Sequence, residues 1–367
     1  MKLRIATFNV ENLFTRPSAM KDGSGPSGQA AIEQHAELNA IIRKETYTDD
    51  DKARLLELDA VYKFSALNAP ANALVKLNKV RGQLFSRSKA GVVSVVADGI
   101  NDWTGWFELP RVDVTWKAIF NTARVIAETN PDILVCVEAE DRPTLVRFNE
   151  QVLGPAFGKK FPHVMVVDGN DDRGIDVGIL SRFPIIGIRS HVDDRNANGE
   201  KTFSRDCPEY VVQLPGGVRV VVIPNHFKSK RGGNDQKARA RRRAQAVGAS
   251  AIARNAVDGV GKYVVLAGDL NDTPDSEELS PLWAGGFADV QSHPSYPTDR
   301  PGTFDTGTAR NKIDYLILSA KLATKLKATG IERRGSYHPS LWEVFDTVDG
   351  RGTEASDHHL LWADFEF

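Results

Sequence analysis

Polar side chains stand where several short apolar runs of the sequence end. Asn9 closes LRIATFN, Glu138 closes DILVCVE, His226 closes VRVVVIPNH and Asp269 closes YVVLAGD. Asp314 lies near the start of another such run, KIDYLILS. Runs of this length that are rich in Val, Ile and Leu are typical of strands buried on at least one face. The sequence therefore predicts that carboxylates, amides and imidazoles collect at strand ends.

Such a collection of groups is suited to cleaving a phosphate ester. Carboxylate and amide oxygens bind hard divalent cations, and the reaction needs an activated water and stabilisation of the charge on the phosphate and the leaving oxygen. Taken singly, each element has a plainer explanation. Asp269 and Asn271 in GDLNDTP are also typical of a turn that closes a strand, and a lone His226 is more often structural. The order of all these elements along the chain favours a phosphate-ester site over the plainer explanations.

A pair of histidines follows Asp357 in SDHHLLW, residues 356–362. Strict strand alternation would place Asp357 and His359 on the same face. The residues after them form one apolar face, made of Leu361, Ala363, Phe365 and Phe367. The regular strand is therefore predicted to begin near Leu360, with Asp357 and His358 on the turn before it. His358 then joins the site, and His359 becomes a packed or hydrogen-bonded neighbour.

Helical patterns lie between the strands, at residues 115–129 and 237–256. This alternation indicates a layered α/β architecture. One stretch stands apart, because far more residues separate Asn9 from Glu138 than one strand–helix–strand step requires. The sequence is therefore interpreted as a single catalytic domain, residues 1–367, with an insertion at about 15–110.

Composition excludes several classes of protein. The chain has 367 residues and a formal net charge of -1, so it is not basic throughout, as many nucleic-acid-binding proteins are. No apolar run reaches about 18 residues, which predicts no transmembrane helix and no membrane partner. The N-terminal MKLRIATFNV alternates like a strand and lacks the apolar stretch of a signal peptide. A cytoplasmic, monomeric protein is expected, or a secreted one if a leader has been removed.

In their order along the chain, seven segments resemble the endonuclease/exonuclease/phosphatase superfamily, which has the deoxyribonuclease I-like fold. They are FNVEN (8–12), PDILVCVE (131–138), RGIDVGILSRFPI (173–185), NHFKSK (225–230), GDLND (268–272), KIDYLIL (312–318) and SDHH (356–359). NHFKSK and the Gly-rich turn after it are similar to a bacterial nuclease branch. The resemblance implies an α/β fold that is a four-layer sandwich: two packed mixed, mostly antiparallel sheets with helices on the outer faces.

The resemblance also implies three groups of site residues and a Mg²⁺ cofactor, with Mn²⁺ or Ca²⁺ as substitutes. The implied metal ligands are Asn9, Glu11, Glu138 and Asp357. The implied catalytic residues are Asp176, His226, Asp269, Asn271, Asp314 and His358. The implied phosphate-binding residues are Arg173, Asn225, Lys228 and Lys230.

Within the catalytic group, the resemblance implies that His358 pairs with Asp314 and that Asp176 is the carboxylate partner of His226. Asp269, together with Asn271, would position or deprotonate the attacking water and hold the phosphate. The choice of general base stays open. Two departures from the family pattern stand out. Val occupies the position before Glu138 where the family often has Gln, and Asn225 directly precedes its histidine where the family often separates the two.

Two features bear on the substrate. Residues 228–243, here called the basic run, hold eight Lys or Arg, among them Arg241, Arg242 and Arg243, and one acidic residue. This predicts binding of a phosphate backbone, although a solvated helix face is the alternative. Around residues 103–107, Trp103, Trp106 and Phe107 could stack on bases or enter a membrane surface, but burial is favoured.

The sequence thus predicts a metal-dependent phosphodiesterase that acts on nucleic acid, most specifically a DNA endonuclease or exonuclease. A phosphomonoesterase or a lipid phosphodiesterase on the same scaffold is the first alternative. A catalytically silent protein that only binds a partner is the second alternative, and the full set of acidic and imidazole residues argues against it.

Overall fold

The computed structural model describes residues 1–11, 13, 15–20, 25–66, 73–171, 173–230 and 235–367. Within them lie eighteen strands: β1 (Lys2–Asn9), β2 (Thr15–Pro17), β3 (Lys76–Arg81), β4 (Phe85–Arg87), β5 (Val93–Val95), β6 (Thr104–Glu108), β7 (Arg111–Asp113), β8 (Ile133–Ala139), β9 (His163–Val167), β10 (Asp176–Ser181), β11 (Ile185–Arg189), β12 (Glu209–Gln213), β13 (Arg219–His226), β14 (Tyr263–Asp269), β15 (Ala288–Asp289), β16 (Asp314–Leu318), β17 (Leu326–Glu332) and β18 (Leu360–Glu366). The same residues contain eight α-helices: α1 (Gly25–Ile42), α2 (Asp49–Tyr62), α3 (Trp116–Thr129), α4 (Arg142–Phe148), α5 (Gly154–Phe157), α6 (Gln236–Gly259), α7 (Ser280–Ala284) and α8 (Ala320–Ala323).

The chain divides into two compact units. The first unit comprises Met1–Phe14 and Val114–Phe367, and the second comprises Thr15–Asp113. No helix among the described residues is both long enough and apolar enough to cross a membrane.

Two six-stranded sheets build the first unit. Sheet A has the strand order β17-β18-β1-β8-β10-β9, and sheet B has the order β11-β12-β13-β14-β16-β15. In sheet A only β1 and β8 run parallel, and in sheet B only β13 and β14 do. Both sheets are therefore mixed and mostly antiparallel, as predicted.

The sheets pack face to face with helices outside, which makes four layers. The core between them combines Ile5 and Val135 of sheet A with Val222 and Val265 of sheet B. A second core joins the other face of sheet A to α3 and α4, and a third joins the other face of sheet B to α6 and α7. Strands covered on both faces become continuous apolar runs, which explains DILVCVE and YVVLAGD. The predicted four-layer sandwich is confirmed.

Both long helices of the first unit have clear start signals. The Thr115 side chain accepts a hydrogen bond from the backbone of Ala118 at 3.2 Å and caps α3. The Asp235 side chain caps α6 in the same way, at 2.7 Å from the backbone N of Ala238. Such caps satisfy backbone N–H groups that have no partner within the helix. Asn130 ends α3 in the left-handed conformation, with φ 53°.

The second unit has a hydrophobic core of its own, in which Trp103 and Phe107 are 3% and 2% exposed. The Trp103 indole donates a hydrogen bond to the Tyr47 hydroxyl at 2.9 Å. The predicted burial is therefore confirmed for these two aromatic residues. It is wrong for Trp106, which is 48% exposed. Neighbouring residues on a strand face opposite sides, so the burial of Phe107 turns Trp106 outward.

Candidate active site

The predicted strand-end residues meet at one end of the two sheets. In sheet B, His226 lies opposite Asp269 and Asp269 lies opposite Asp314, so the three stand side by side on neighbouring strands. From sheet A, the side chain of Asn9 donates a hydrogen bond to Asp269 Oδ2 at 3.3 Å. His226 Nε2 lies 3.7 Å from the same oxygen and His358 Nε2 lies 3.9 Å from it. Asp269 is thus the central carboxylate of the cluster.

The turn after β14 supplies further donors to this carboxylate. Asn271 donates its backbone N–H to Asp269 Oδ1 at 2.8 Å and its side-chain amide to Oδ2 at 3.1 Å. Its φ of 54° lies in the left-handed region, which Asn tolerates better than most residues. Burial, together with the negative charge of Asp314, raises the pKa of Asp269 to about 7. A carboxylate with such a pKa is suited to exchanging a proton near neutral pH.

His358 and Asp314 form a buried pair. Their Nδ1 and Oδ2 atoms are 2.9 Å apart, and the Thr303 hydroxyl donates to the same Asp314 oxygen at 2.8 Å. Burial acts to lower the pKa of His358, but the charge of Asp314 outweighs it and raises that pKa well above the ordinary value. The imidazole is therefore held as a cation. Its Nε2 is directed toward Asp269 and Asp357, each at 3.9 Å.

The turn that carries His358 is fixed by hydrogen bonds. The Ser356 hydroxyl donates to the carbonyl oxygen of Asn9 at 2.7 Å and accepts from the backbone N of His358 at 3.0 Å. Strand β18 begins at Leu360, as predicted. His359 lies apart from the cluster, with its ring nitrogens 3.0 Å from the Ser336 hydroxyl and 3.0 Å from the Asp305 carbonyl oxygen. The prediction that His359 is a hydrogen-bonded neighbour is confirmed.

Glu138 occupies a β-bulge. Asp176 pairs with Ala139 and Val177 pairs with Val137, so Glu138 has no partner on β10. Its φ of 64° is in the left-handed region, which is uncommon for a non-glycine residue and costs free energy. Bulges of this kind re-aim a side chain next to active sites. Glu138 Oε1 lies 3.7 Å from His226 Nε2, and among the described residues its carboxylate accepts no hydrogen bond.

The predicted pairing of Asp176 with His226 is wrong. Asp176 Oδ1 accepts a hydrogen bond from the backbone N of Gly169 at 2.8 Å instead. His226 Nδ1 is buried without a hydrogen-bond partner in the described part of the chain. At the bulge, Ala139 rather than Glu138 lies opposite Asp176, and the loop at Gly169 rather than His226 supplies the donor to the Asp176 carboxylate.

Asp176 should make the stability of the protein depend on pH. Burial raises its pKa to about 7; the hydrogen bond from Gly169 opposes this shift, and the charges of Asp168 and Asp171 add to it. The folded state then holds a proton that the unfolded state releases, so stability falls as pH rises from about 4 to about 7. Asp176→Asn should remove a fall on the order of 3 kcal/mol, measured by urea unfolding at several pH values. Asp364→Asn, at the far end of sheet A, should retain the fall in stability. If the unmodified protein and both variants show the same dependence of stability on pH, Asp176 is not its cause.

An ion-pair group that the sequence did not predict lies next to the cluster. Arg205 Nε is 2.8 Å from Asp171 Oδ2, and Arg173 Nη2 is 2.6 Å from the same oxygen. Burial, and then the positive charges of Arg205 and Arg173, lower the pKa of His226 well below its ordinary value. His226 is therefore neutral while His358 is charged. Arg205 and Asp171 lie in loops without periodic pattern, so no sequence signal identified them, and Thr303 was missed for the same reason.

Each of the four predicted phosphate-binding residues makes a different contact within the protein. Arg173 is held by Asp171, as described above. Asn225 is buried, and its amide donates to the carbonyl oxygen of Ile223 at 2.9 Å. The backbone N of Lys228 donates to Gln245 Oε1 at 2.8 Å. Lys230 forms an ion pair with Asp272.

The basic run is largely tied into the protein. Its residues 231–234, which include the Gly-rich turn, lie outside the described residues. Arg242 has no exposed surface, and its Nε lies 2.9 Å from Asp272 Oδ2. Arg243 donates to the carbonyl oxygen of Glu277 at 2.8 Å. The prediction of a backbone-binding face is therefore wrong for Arg242, because this side chain holds the loop after β14 inside the protein.

The residues of the cluster fit a divalent cation. Glu138 and Asp357 present carboxylate oxygens near His226 and His358. Asp314 Oδ1 is buried and has no hydrogen-bond partner in the part of the chain that the structure describes. Ligand atoms of Asp269, Asp314 and His358 all lie within 4.8 Å of one another. Asp314 and His358 are hydrogen-bonded to each other. The carboxylates of Glu138 and Asp357 are therefore the better cation ligands.

The chain is similar to several proteins of known structure and to one family model. Three similar solved structures are truncated TDP2 from Caenorhabditis elegans (21% identity, 68% of this chain and 90% of that chain covered, TM-score 0.48), mannosyl-6-phosphatase from Bacteroides thetaiotaomicron (16%, 68%, 91%, 0.49) and sphingomyelinase C from Streptomyces griseocarneus (21%, 68%, 93%, 0.46). No curated protein matches the chain significantly. The model of the Endonuclease/Exonuclease/phosphatase family matches residues 119–358, more than half of the sequence. The chain therefore belongs to the Endonuclease/Exonuclease/phosphatase family.

Proposed function

We propose that this protein is a Mg²⁺-dependent phosphodiesterase that hydrolyses nucleic acid, with DNA as the favoured substrate. The observation that carries the proposal is the meeting of Glu138, Asp269 and the His358–Asp314 pair at the ends of two packed sheets. Members of the family hydrolyse phosphate esters and typically use divalent metal ions. We propose one catalytic domain, residues 1–367, that carries an insertion at about residues 15–110.

Glu138 and Asp357 would hold the cation, with Asn9 and Glu11 beside it. Among these, the backbone N of Glu11 donates to Asn9 Oδ1 at 3.1 Å, which fixes the Asn9 side chain. When bound, the cation neutralises charge on the phosphate and the leaving oxygen. Mn²⁺ or Ca²⁺ would be the substitutes for Mg²⁺.

Asp269 would act on the attacking water. Hydrogen bonds from Asn9 and Asn271 orient its carboxylate, and its raised pKa suits it to accept the water proton. The bond from the water oxygen to phosphorus forms as the bond to the leaving oxygen breaks. His226, which is neutral, would help to position the water.

The His358 cation would donate from Nε2 to a non-bridging phosphate oxygen. Asp314 orients the ring through Nδ1 and stabilises its charge, as a carboxylate does for a catalytic imidazole. Lys228 and Lys230 directly follow β13, and together with Arg173 they would contact phosphates that flank the scissile bond. These cations favour a polyanionic substrate.

A panel of substrates tests the proposal. Plasmid, single-stranded DNA, RNA, a phosphomonoester and a phospholipid are incubated with the protein in Mg²⁺ or in EDTA. We expect cleavage of DNA in Mg²⁺ and none in EDTA. Phosphate release from the monoester alone would favour a phosphomonoesterase, and cleavage of the phospholipid alone would favour a lipid phosphodiesterase. Failure to cleave any phosphodiester with Mg²⁺, Mn²⁺ or Ca²⁺ would contradict the proposal, and an Asp269→Asn protein purified in parallel controls for contaminating nucleases.

A further inference from the structure

A concentration of positive charge lies in the second unit, outside the basic run. Residues 74–97 contain no acidic residue but five basic ones: Lys76, Lys79, Arg81, Arg87 and Lys89. The chain as a whole has a net charge of -1. This segment forms β3, β4 and β5 and their connections. It is therefore a local concentration of positive charge in the sequence of a nearly neutral protein.

In the part of the chain that the structure describes, these cations are not ion-paired. Among the described residues, none of the five basic side chains forms an ion pair or a side-chain hydrogen bond. The arginines of α6 differ, since Arg242 pairs with Asp272 and Arg239 pairs with Glu278. The cations of the β3 segment are thus open to a partner, whereas Arg239 and Arg242 of α6 are already paired.

The register of β3 and β6 places an aromatic residue among the cations. Asn78 pairs with Trp106, and Arg81 pairs with Thr104, with a bulge at Val80. Paired residues share a face of the ribbon, and residues two apart on a strand do so as well. The bulge therefore brings Arg81 to the face that already holds Trp106.

Lys76 shares this face because it lies two residues before Asn78. It pairs with Glu108, the one acidic residue of the face, and the carboxylate of Glu108 is already engaged by the side-chain amide of Asn78. Trp106 itself is 48% exposed. The face thus combines an exposed indole ring with two cations that form no ion pair among the described residues.

We infer that this face of the β3–β6 ribbon, formed by Lys76, Arg81 and Trp106, binds single-stranded nucleic acid. Cations neutralise the phosphate backbone, and an exposed indole stacks on unpaired bases of any sequence. Lysines alone would serve to keep an exposed strand edge from pairing, but that role gives no reason to expose a tryptophan. The inference rests on the proposed function in that it assigns part of the nucleic-acid binding to the second unit.

The test is binding of a fluorescent single-stranded oligonucleotide by the full chain in EDTA, followed by anisotropy over a range of salt concentrations. The double variant Lys76→Gln, Arg81→Gln should weaken binding and reduce the slope of log K against log salt by about 1.4, at about 0.7 per phosphate contact. Trp106→Ala should weaken binding by at least about five-fold without changing the slope, and Trp106→Phe should restore most of the affinity.

Matched controls lie in the first unit. Trp116 is 72% exposed, so Trp116→Ala removes an exposed indole elsewhere, and Lys262→Gln with Lys321→Gln removes two exposed charges that form no ion pair among the described residues. These variants should bind like the parent protein. If the variants at Trp106, Lys76 and Arg81 also bind like the parent, or if they lose only binding to anionic lipid vesicles, the inference is wrong.

A second measurement separates this inference from the proposed function. Hydrolysis of the small diester bis(p-nitrophenyl) phosphate in Mg²⁺ reports on the active site alone, and the ribbon variants should retain the parent rate. If the parent hydrolyses no diester but its ribbon variants lose oligonucleotide binding, the proposed function fails and the inference stands. If the parent hydrolyses the diester but the ribbon variants bind the oligonucleotide as the parent does, the inference fails and the proposed function stands.

Discussion

Replacing Asp269 with asparagine is expected to lower the rate of phosphodiester hydrolysis by about 10³-fold, within the range of general acid–base contributions. Asparagine has nearly the same shape, but it cannot accept the proton of the attacking water. It also cannot balance the charge of the His358 imidazole, whose Nε2 lies 3.9 Å from Asp269. The measurement is kcat for a small phosphodiester in saturating Mg²⁺.

The same substitution should not unfold the protein. Asp269 lies directly opposite Asp314 and is buried, so its negative charge is repelled by a neighbour. Removing that charge should raise the free energy of unfolding of the metal-free protein at pH 8 by about 1 kcal/mol. Asp364→Asn, at the opposite end of β18, should keep full activity. Full activity in Asp269→Asn would disprove the role assigned to Asp269.

Glu138→Gln is expected to weaken Mg²⁺ binding by at least about 10-fold to 100-fold, the range that follows even from loss of an outer-shell partner of a metal ligand. Glutamine keeps the size of the side chain at the bulge but offers a neutral oxygen to the cation. The concentration of Mg²⁺ that gives half-maximal activity should rise accordingly. Mg²⁺ is also expected to raise the melting temperature, because a ligand stabilises only the state that binds it, and this increase should shrink in parallel.

The control for this variant is Glu366→Gln. Glu366 lies opposite Lys2, at the end of sheet A away from the site. Its Mg²⁺ dependence should equal that of the unmodified protein. If Glu138→Gln shows the same half-maximal Mg²⁺ concentration and the same thermal response as this control, Glu138 is not a metal ligand.

Much of the cluster could be predicted because its members end strands. His226 and Asp269 follow continuous apolar runs, and residues that end neighbouring strands of a sheet must lie close together. The strand start at Leu360 could be predicted because alternation of buried residues persists through β18. The four-layer arrangement came from the resemblance to a family, since periodicity alone indicates only that strands and helices alternate.

Other features depend on tertiary contacts that leave no periodic signal. The left-handed φ of Glu138 arises from a bulge against β10, and nothing in CVEAED indicates which residue is extra. Asp176 accepts a hydrogen bond from Gly169 in a neighbouring loop, so the pairing with His226 that the resemblance implied failed. Arg205 could not be found because one arginine in a loop is ordinary until Asp171 is seen beside it.

Charge density in the sequence was a poor guide to charge available at the surface. The basic run has the higher density, yet Arg242 is buried against Asp272. A helix buries one face whatever its composition, and any arginine on that face must find a carboxylate. The β3 segment, residues 74–97, has fewer cations, but it contains no acidic residue that could pair with them.

The position of β18 has a consequence for how the protein is made. This strand is the last in the sequence, yet it lies between β17 and β1 and so joins the first strand to the sheet. Pairings between such distant parts of a chain form slowly. His358 lies two residues before the start of β18, so it reaches Asp314 only when this strand is in place. During synthesis on the ribosome, the cluster therefore stays incomplete until residues through Glu366 have emerged, and a shorter nascent chain lacks the contact between His358 and Asp314.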